Sequence, residues 1–126
     1  MADPVFLDFE HIEAIHEASL EAYGGLPGIR DKGLIESAIG SAMNTFFYAN
    51  GDLSAIAAVY AFHLAQAQAF LDGNKRTGIG AALLFLRANK VKSVPTDGVL
   101  YDAMIAIAEK RLDKAGLAEI FRRAAV

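Results

Sequence analysis

An acidic turn lies at residues 70–77, directly before a long apolar stretch. Asp72 offers a hard oxygen ligand for a divalent metal, and Gly73 allows the backbone a positive φ or a close approach to a ligand. The amide groups that begin the following helix favour an anion. Lys75 and Arg76 place two positive charges beside these amides. The combination predicts a site for a metal-bound nucleotide.

The same turn also has a simpler interpretation. Asp-Gly-Asn is ordinary turn chemistry, and a basic pair at the start of a helix can be solvated without binding anything. Basic residues in a first helical turn nevertheless oppose the helix macrodipole. A bound anion would offset that repulsion, so a phosphate site and a solvated turn are the two interpretations of this segment.

The turn resembles the signature loop of the Fic/Doc family, whose pattern is His-x-Phe-x-Asp-(Gly/Ala)-Asn-(Gly/Lys)-Arg. The chain has Gln-Ala-Phe-Leu-Asp-Gly-Asn-Lys-Arg at 68–76, and Lys before Arg is typical of the Doc ("death on curing") toxins. The segments 23–31 and 33–38 are similar to the family's N-terminal region, and 82–86 is similar to the helix after the loop. The resemblance covers most of the chain and implies an all-α Fic/Doc fold in one domain, 1–126.

The resemblance implies a role for each residue of the loop. Asp72 would hold Mg²⁺, and Gly73 and Asn74 would shape the nest of amides that receives the phosphates of ATP. The residues expected at the nucleotide are Phe70, Gly73, Asn74, Lys75, Arg76 and Thr77. The expected catalytic residues are Gln68, Asp72, Lys75 and Arg76.

Gln68 is the main departure from the family pattern, because it occupies the position of the family's histidine. Neither Gln66 nor His63 stands at the matching position. A glutamine amide does not titrate near neutral pH and cannot take a hydroxyl proton as an imidazole does. General-base catalysis contributes about 10²- to 10⁴-fold in rate. Gln68 either orients the acceptor hydroxyl by hydrogen bonding, or is an inactivating or structural replacement.

Ile79 separates the chain from the family's adenylylating branch, which has a second arginine at that position. The resemblance therefore implies the Doc branch, which transfers the γ-phosphate of ATP to a hydroxyl of translation elongation factor Tu. The chain also lacks a convincing Ser/Thr-x-x-x-Glu-Gly/Asn inhibitory helix. Inhibition would then come from a Phd-like antitoxin, whose disordered segment folds as a helix on the toxin.

The composition supports a folded domain with few other constraints. The chain has 126 residues, of which 54% are hydrophobic, and no cysteine. No apolar run reaches the roughly 18 residues of a bilayer span, and 1–4 do not resemble the start of a signal peptide. We therefore expect a cytoplasmic protein without disulfides or thiolate metal sites. A net charge of -3 argues against direct binding of nucleic acid.

Capping residues and apolar periodicity predict about six helices. Their expected limits, caps included, are 8–24, 31–40, 53–69, 75–89, 96 or 97 to 107, and 114–121. The helix over 75–89 is apolar nearly all round, which predicts a buried central helix, and its Gly78 and Gly80 leave room for the preceding helix packed antiparallel. Residues 91–95 have the alternation of a short strand or extended flap that ends at Pro95.

Several other polar residues have structural interpretations. His16 and His63 lie among apolar neighbours, where a histidine is more often a hydrogen-bonded core residue than a catalyst, although His16 matches a family histidine that would support the site. Arg30 and Asp31 are expected to cap and brace the second helix. Two other classes of function stay open: a catalytically silent nucleotide-binding protein, and a helical interaction module with no nucleotide site.

Overall fold

The computed structural model describes residues 3–125 and contains six α-helices. They are α1 (Phe9–Tyr23), α2 (Lys32–Phe47), α3 (Leu53–Ala67), α4 (Asn74–Ala88), α5 (Asp97–Ala108) and α6 (Lys114–Ala124). Within 3–125 there is no strand, and the β pairing consists of one isolated antiparallel bridge between Ile29 and Phe70. The predicted all-α fold of about six helices is confirmed. No helix in the described part of the chain is long and apolar enough to cross a membrane.

Polar caps begin most of the helices. A side-chain oxygen of the N-cap residue accepts a hydrogen bond from a backbone amide in the first turn of α1, α2, α3, α5 and α6. The five capping residues are Asp8, Asp31, Asp52, Thr96 and Asp113. Each such cap stabilises a helix by about 1 kcal/mol. α4 begins differently, at Gly73, without a side-chain cap.

Three helices end at positions other than those predicted, and one of them, α6, runs to Ala124 rather than 121. α2 runs seven residues beyond Gly40, to Phe47, because Ala42 continues the buried face of Ile35 and Ala38. α3 ends at Ala67 rather than 69, because Gln68 adopts the left-handed conformation (φ 57°, ψ 41°).

The central helix is α3 rather than α4. α3 contacts α2, α4, α5 and α6, and nine of its fifteen residues are buried. α4 packs closely against it at Gly78, as predicted: a Cβ added there would lie 2.7 Å from the carbonyl oxygen of Ala61. The prediction is wrong for Gly80, which makes room for Ile15 of α1, since an added Cβ would lie 2.6 Å from the Ile15 side chain. The short connection 68–73 joins these two helices, so their packing fixes the position of the loop that carries the predicted site.

Residues 91–95 form an irregular connection and not a strand. The amide of Val91 donates to the carbonyl of Leu86, and the Ser93 hydroxyl donates to the carbonyl of Ala124. The 68–73 loop lies against the segment 24–31, between α1 and α2.

Candidate functional site

The 68–73 loop is hydrogen-bonded to the segment between α1 and α2. The carbonyl of Ala69 accepts from the amides of Arg30 (2.7 Å) and Asp31 (3.0 Å), and the amide of Leu71 donates to the carbonyl of Gly28 (3.1 Å). The Arg30 guanidinium also donates to the carbonyl of Gln68. Arg30 therefore braces the end of α3 rather than α2, whereas Asp31 caps α2 as predicted.

His16 supports the loop from the core. Its Nε2 lies 2.8 Å from the carbonyl oxygen of Asp72, and its ring stacks on that of Phe70 at 3.8 Å between centroids. Because a carbonyl only accepts, Nε2 carries the proton in this contact. Both rings are buried. His16 is thus a hydrogen-bonded core residue beneath the site.

Asn74 closes the loop on itself. Its side chain donates to the carbonyl of Phe70 and accepts from the amide of the same residue, both at 3.0 Å. Asn74 is buried, so its side chain is occupied by this reciprocal pair. The residue shapes the loop through its side chain and leaves its backbone amide to the helix start.

The first turn of α4 presents amides without a cap. Gly73 has a left-handed φ of 76° and forms no side-chain cap, and a helix leaves its first amides without intrahelical partners. These are the amides of Asn74, Lys75 and Arg76; the next amide, that of Thr77, donates to the carbonyl of Gly73 at 3.0 Å. Together with the macrodipole, they form a ready anion site.

The Asp72 carboxylate is held at the edge of this turn by two backbone amides. Oδ1 accepts from Gly73 at 2.9 Å, and Oδ2 accepts from Leu26 at 3.2 Å. A Cβ on Gly25 would lie 2.8 Å from Oδ2, so the approach of the 24–26 segment requires a glycine there. Each carboxylate oxygen keeps a lone pair for a further ligand.

The donor set fits a metal that arrives with phosphate. No group of three or more His, Cys, Asp or Glu side chains within 3–125 could hold a metal ion. Mg²⁺ commonly binds through one or two carboxylates, substrate phosphates and water. Asp72 could supply the one protein ligand of such a complex, whereas this chain has no cluster for Mg²⁺ alone in its described part.

Arg76 is positioned by aromatic rings from two other helices. Its guanidinium carbon lies 4.3 Å from the centre of the Tyr23 ring, at the end of α1. Nη2 lies 3.5 Å from the hydroxyl oxygen of Tyr101 on α5, the limit for a hydrogen bond. This cation–π contact restrains the guanidinium while most of its N–H groups stay available for an anion.

The structure brings six of the predicted site residues to one open cleft of about 330 Å³. It is lined by Gln68, Leu71, Asp72, Gly73, Asn74, Lys75, Arg76 and Tyr101. Phe70 and Thr77 are buried and do not line it, and the Thr77 hydroxyl lacks a hydrogen-bond partner. Their contact with a nucleotide stays a prediction. Tyr101 was not predicted, since α5 brings it to the cleft from a remote part of the sequence.

Gln68 lies at the mouth of the cleft with its amide turned back onto α3. Nε2 donates to the carbonyl of Ala65 at 3.1 Å, and the side chain is exposed. His63 does not replace the missing imidazole, because it does not line the cleft. Its Nε2 lies 3.3 Å from Nζ of Lys114, and burial together with this charge lowers the pKa of His63.

Comparison with known proteins agrees with this geometry. The family model described as "Fic/DOC family" matches residues 6–86, which include α1 to α3, the loop and most of α4. The protein named "Protein kinase doc", from Escherichia phage P1, is 36% identical over 115 residues, which cover 90% of this chain and 90% of that protein. The chain therefore belongs to the Fic/Doc family, in its Doc branch.

Proposed function

We propose that the chain is the toxin of a toxin–antitoxin pair and a Doc-type phosphotransferase, acting in the cytoplasm. It would transfer the γ-phosphate of ATP to a hydroxyl of a protein, with elongation factor Tu as the first target to test. The uncapped start of α4, with Lys75 and Arg76 beside it, carries the proposal. The name of the phage P1 relative, a protein kinase, supports the direction of transfer.

The residues of the cleft divide the work of holding ATP. The first amides of α4 would bind phosphate oxygens, and Arg76, stacked on Tyr23, would add a fixed positive charge. Asp72 would supply the protein ligand of Mg²⁺, which neutralises phosphate charge when bound with ATP. Phosphoryl transfer depends mainly on such positioning and electrostatics.

Gln68 limits what the site can do with the acceptor hydroxyl. Its amide can hydrogen-bond a hydroxyl but cannot remove the proton, and its Nε2 is already engaged with Ala65. As the γ-phosphoryl group bonds to the acceptor oxygen and ADP leaves, the acceptor proton would pass to water or to an oxygen of the transferred phosphoryl group. This favours slow transfer, and it makes a catalytically silent nucleotide-binding protein the second candidate.

Transfer from labelled ATP tests the proposal. The full chain would be incubated with Mg²⁺ and elongation factor Tu, using ATP labelled at either the γ or the α position. We expect label on the target from γ-labelled ATP alone. Label from the α position would indicate nucleotidyl transfer instead. Binding of ATP without any transfer would support the silent protein, and no binding would leave the helical interaction module.

We also propose that a Phd-like antitoxin inhibits this chain by folding a disordered segment into a helix on its surface. The Doc relationship supports this partner. Coupled folding adds ordered helix on binding. The helical circular-dichroism signal of the toxin mixed with a candidate antitoxin encoded beside it should therefore exceed the sum of the two separate signals. Strictly additive spectra would count against this mode of inhibition.

A further inference from the structure

A second hollow adjoins the cleft and has a different chemical character. It has a volume of about 260 Å³ and shares Arg76 and Tyr101 with the cleft. Its other walls are mainly apolar, from Tyr23 at the end of α1 and from Ile79 and Leu83 on α4. We name it the Tyr23–Leu83 hollow. A ligand that fills both spaces needs an anionic part and a mainly apolar part, joined at Arg76.

One carboxylate lies in the wall of this hollow. Asp97, the first residue of α5, is exposed and lines the hollow with Tyr101. An ionised carboxylate only accepts hydrogen bonds, so it selects a ligand whose edge presents an N–H group. Apolar walls with one or two placed polar groups are typical of small-molecule sites.

The geometry points to the Tyr23–Leu83 hollow as the site of the nucleobase, specifically a purine that carries an exocyclic amino group. This assignment rests on the proposed function, since the phosphates must occupy the cleft. The rings of Tyr23 and Tyr101 would flank the base, with Ile79 and Leu83 beneath it, and Asp97 would accept from the amino group. Arg76, shared by both spaces, would lie where the phosphates join the nucleoside.

A larger hollow of mixed character is the competing location. It has about 630 Å³ and lies between α3 and the α5–α6 connection, where the apolar side chains of Phe62, Ile107, Ala108 and Leu112 line it together with charged ones such as Lys110 and Arg111. None of its lining residues also lines the cleft. A base placed there would therefore not be in a space continuous with the phosphate site, which favours the Tyr23–Leu83 hollow despite its smaller volume.

Calorimetric titration with three ligands separates the phosphate site from the base site. Mg²⁺ would be present throughout, and the ligands are ATP, ITP, which lacks the amino group, and inorganic tripolyphosphate. Stacking of a base on an aromatic ring increases affinity by about 5- to 150-fold. We expect the full chain to bind ATP at least about tenfold more tightly than tripolyphosphate, with ITP between them.

Matched variants locate the base. Ile79→Phe fills the Tyr23–Leu83 hollow and should reduce ATP affinity to that of tripolyphosphate, while changing tripolyphosphate affinity by less than about twofold. Ala108→Phe fills the competing hollow and should change neither. Asp97→Asn, an exposed position that does not depend on repacking, should bring ATP and ITP within about twofold of each other. Thermal melts would confirm that each variant is folded.

Three results would overturn the assignment. Equal affinity of the unaltered chain for ATP and tripolyphosphate would show that no base pocket exists, although the phosphate site survives. Loss of the ATP advantage in Ala108→Phe and not in Ile79→Phe would move the base to the α5–α6 hollow. Failure to bind any of the three ligands would overturn the proposed function as well.

Discussion

The starts of α3 and α4 differ in how their unpaired first-turn amides are satisfied. At α3, Asp52 accepts from the amide of Ala55 at 2.9 Å and from the guanidinium of Arg122 at 2.8 and 3.0 Å. The hydrogen bonds from Arg122 lower the pKa of Asp52. At α4, the N-cap is Gly73, without a side-chain oxygen, and Lys75 lies in the first turn.

At α3 the chain itself supplies the cap and the negative charge, whereas at α4 both are left for a ligand to supply. Asp52 supplies both the acceptor and the negative charge that a helix start favours, which stabilises by about 1 kcal/mol. The basic residues at α4 oppose the macrodipole by roughly 0.3 to 1 kcal/mol each. The α4 end therefore gains free energy only when an anion binds, and the following predictions test that difference.

The largest expected effect is on catalysis in the cleft at the uncapped start of α4. Gln68→His places an imidazole beside the cleft, where it can take the acceptor proton, and should raise phosphate transfer by about 10²- to 10⁴-fold. ATP affinity should change little, because a base acts mainly in the transition state. Initial rates with γ-labelled ATP measure the gain.

The matched control is Gln66→His on the last turn of α3. Gln66 donates to the carbonyl of Ile107 and does not line the cleft, so its replacement should leave the rate unchanged. If Gln68 works by orienting the acceptor, Gln68→His should be no faster and Gln68→Ala slower. Equal rates for the Gln, His and Ala forms would place the catalytic centre elsewhere.

The next largest effect is on ATP binding at the uncapped start of α4. Arg76→Ala removes the stacked guanidinium and should weaken ATP by about 1.5 to 3 kcal/mol, the contribution of a hydrogen bond to a charged group. Arg87→Ala, at the other end of α4, and Arg122→Ala, on α6 against the start of α3, should leave ATP affinity within about twofold. Calorimetry with Mg²⁺ would compare the three. A similar loss in all three would mean that net charge, and not the α4 start, binds the nucleotide.

Substitutions at the starts of both α3 and α4 should lower the free energy of unfolding, but only the one at α4 should weaken ATP binding. Asp52→Ala removes the α3 cap and its ion pair, which should cost about 1 to 2 kcal/mol. Gly73→Ala should cost a similar 1 to 2 kcal/mol or so, because φ of 76° is unfavourable for a residue with a Cβ. Urea unfolding measures both losses. ATP affinity should fall in Gly73→Ala alone; a parallel fall in Asp52→Ala would remove the distinction between the two starts.

Much of the fold follows from local sequence signals. The caps Asp8, Asp31 and Thr96 are confirmed because a cap acts within one turn. The predicted stop at Gly40 is wrong because the cost of an interior glycine, about 1 kcal/mol, is smaller than the gain from packing the rest of α2. The end of α3 is set by Arg30, 38 residues from Gln68, which no local pattern reveals.

The candidate site likewise combines residues that are adjacent in the sequence with others that only the packing of the helices brings near. Its loop residues are contiguous, so the sequence shows them together. Tyr101 reaches Arg76 from 25 residues away through the packing of α5, and no spacing rule predicts it. The burial of Thr77 follows from the packing of α4, since Thr77 lies four residues before Ala81 on the buried face of that helix.

The smallest effect concerns the start of α6, where a basic first-turn residue is accommodated by the chain itself. Lys114 lies beside His63, and burial followed by the charge of Lys114 lowers the pKa of His63 below 6.5. As pH falls through this range, the unfolded chain takes up the proton before the folded one, so folding stability is lost towards acid pH. Lowering the pH from about 7.5 to 5.5 should therefore reduce Tm by about 1 to 2 °C more in the unaltered chain than in His63→Gln. Because every other titrating group is the same in both proteins, thermal melts across this range isolate His63. Identical pH profiles would contradict the prediction, because they would mean that neither burial nor the charge of Lys114 lowers the pKa of His63 in the folded chain relative to the unfolded one.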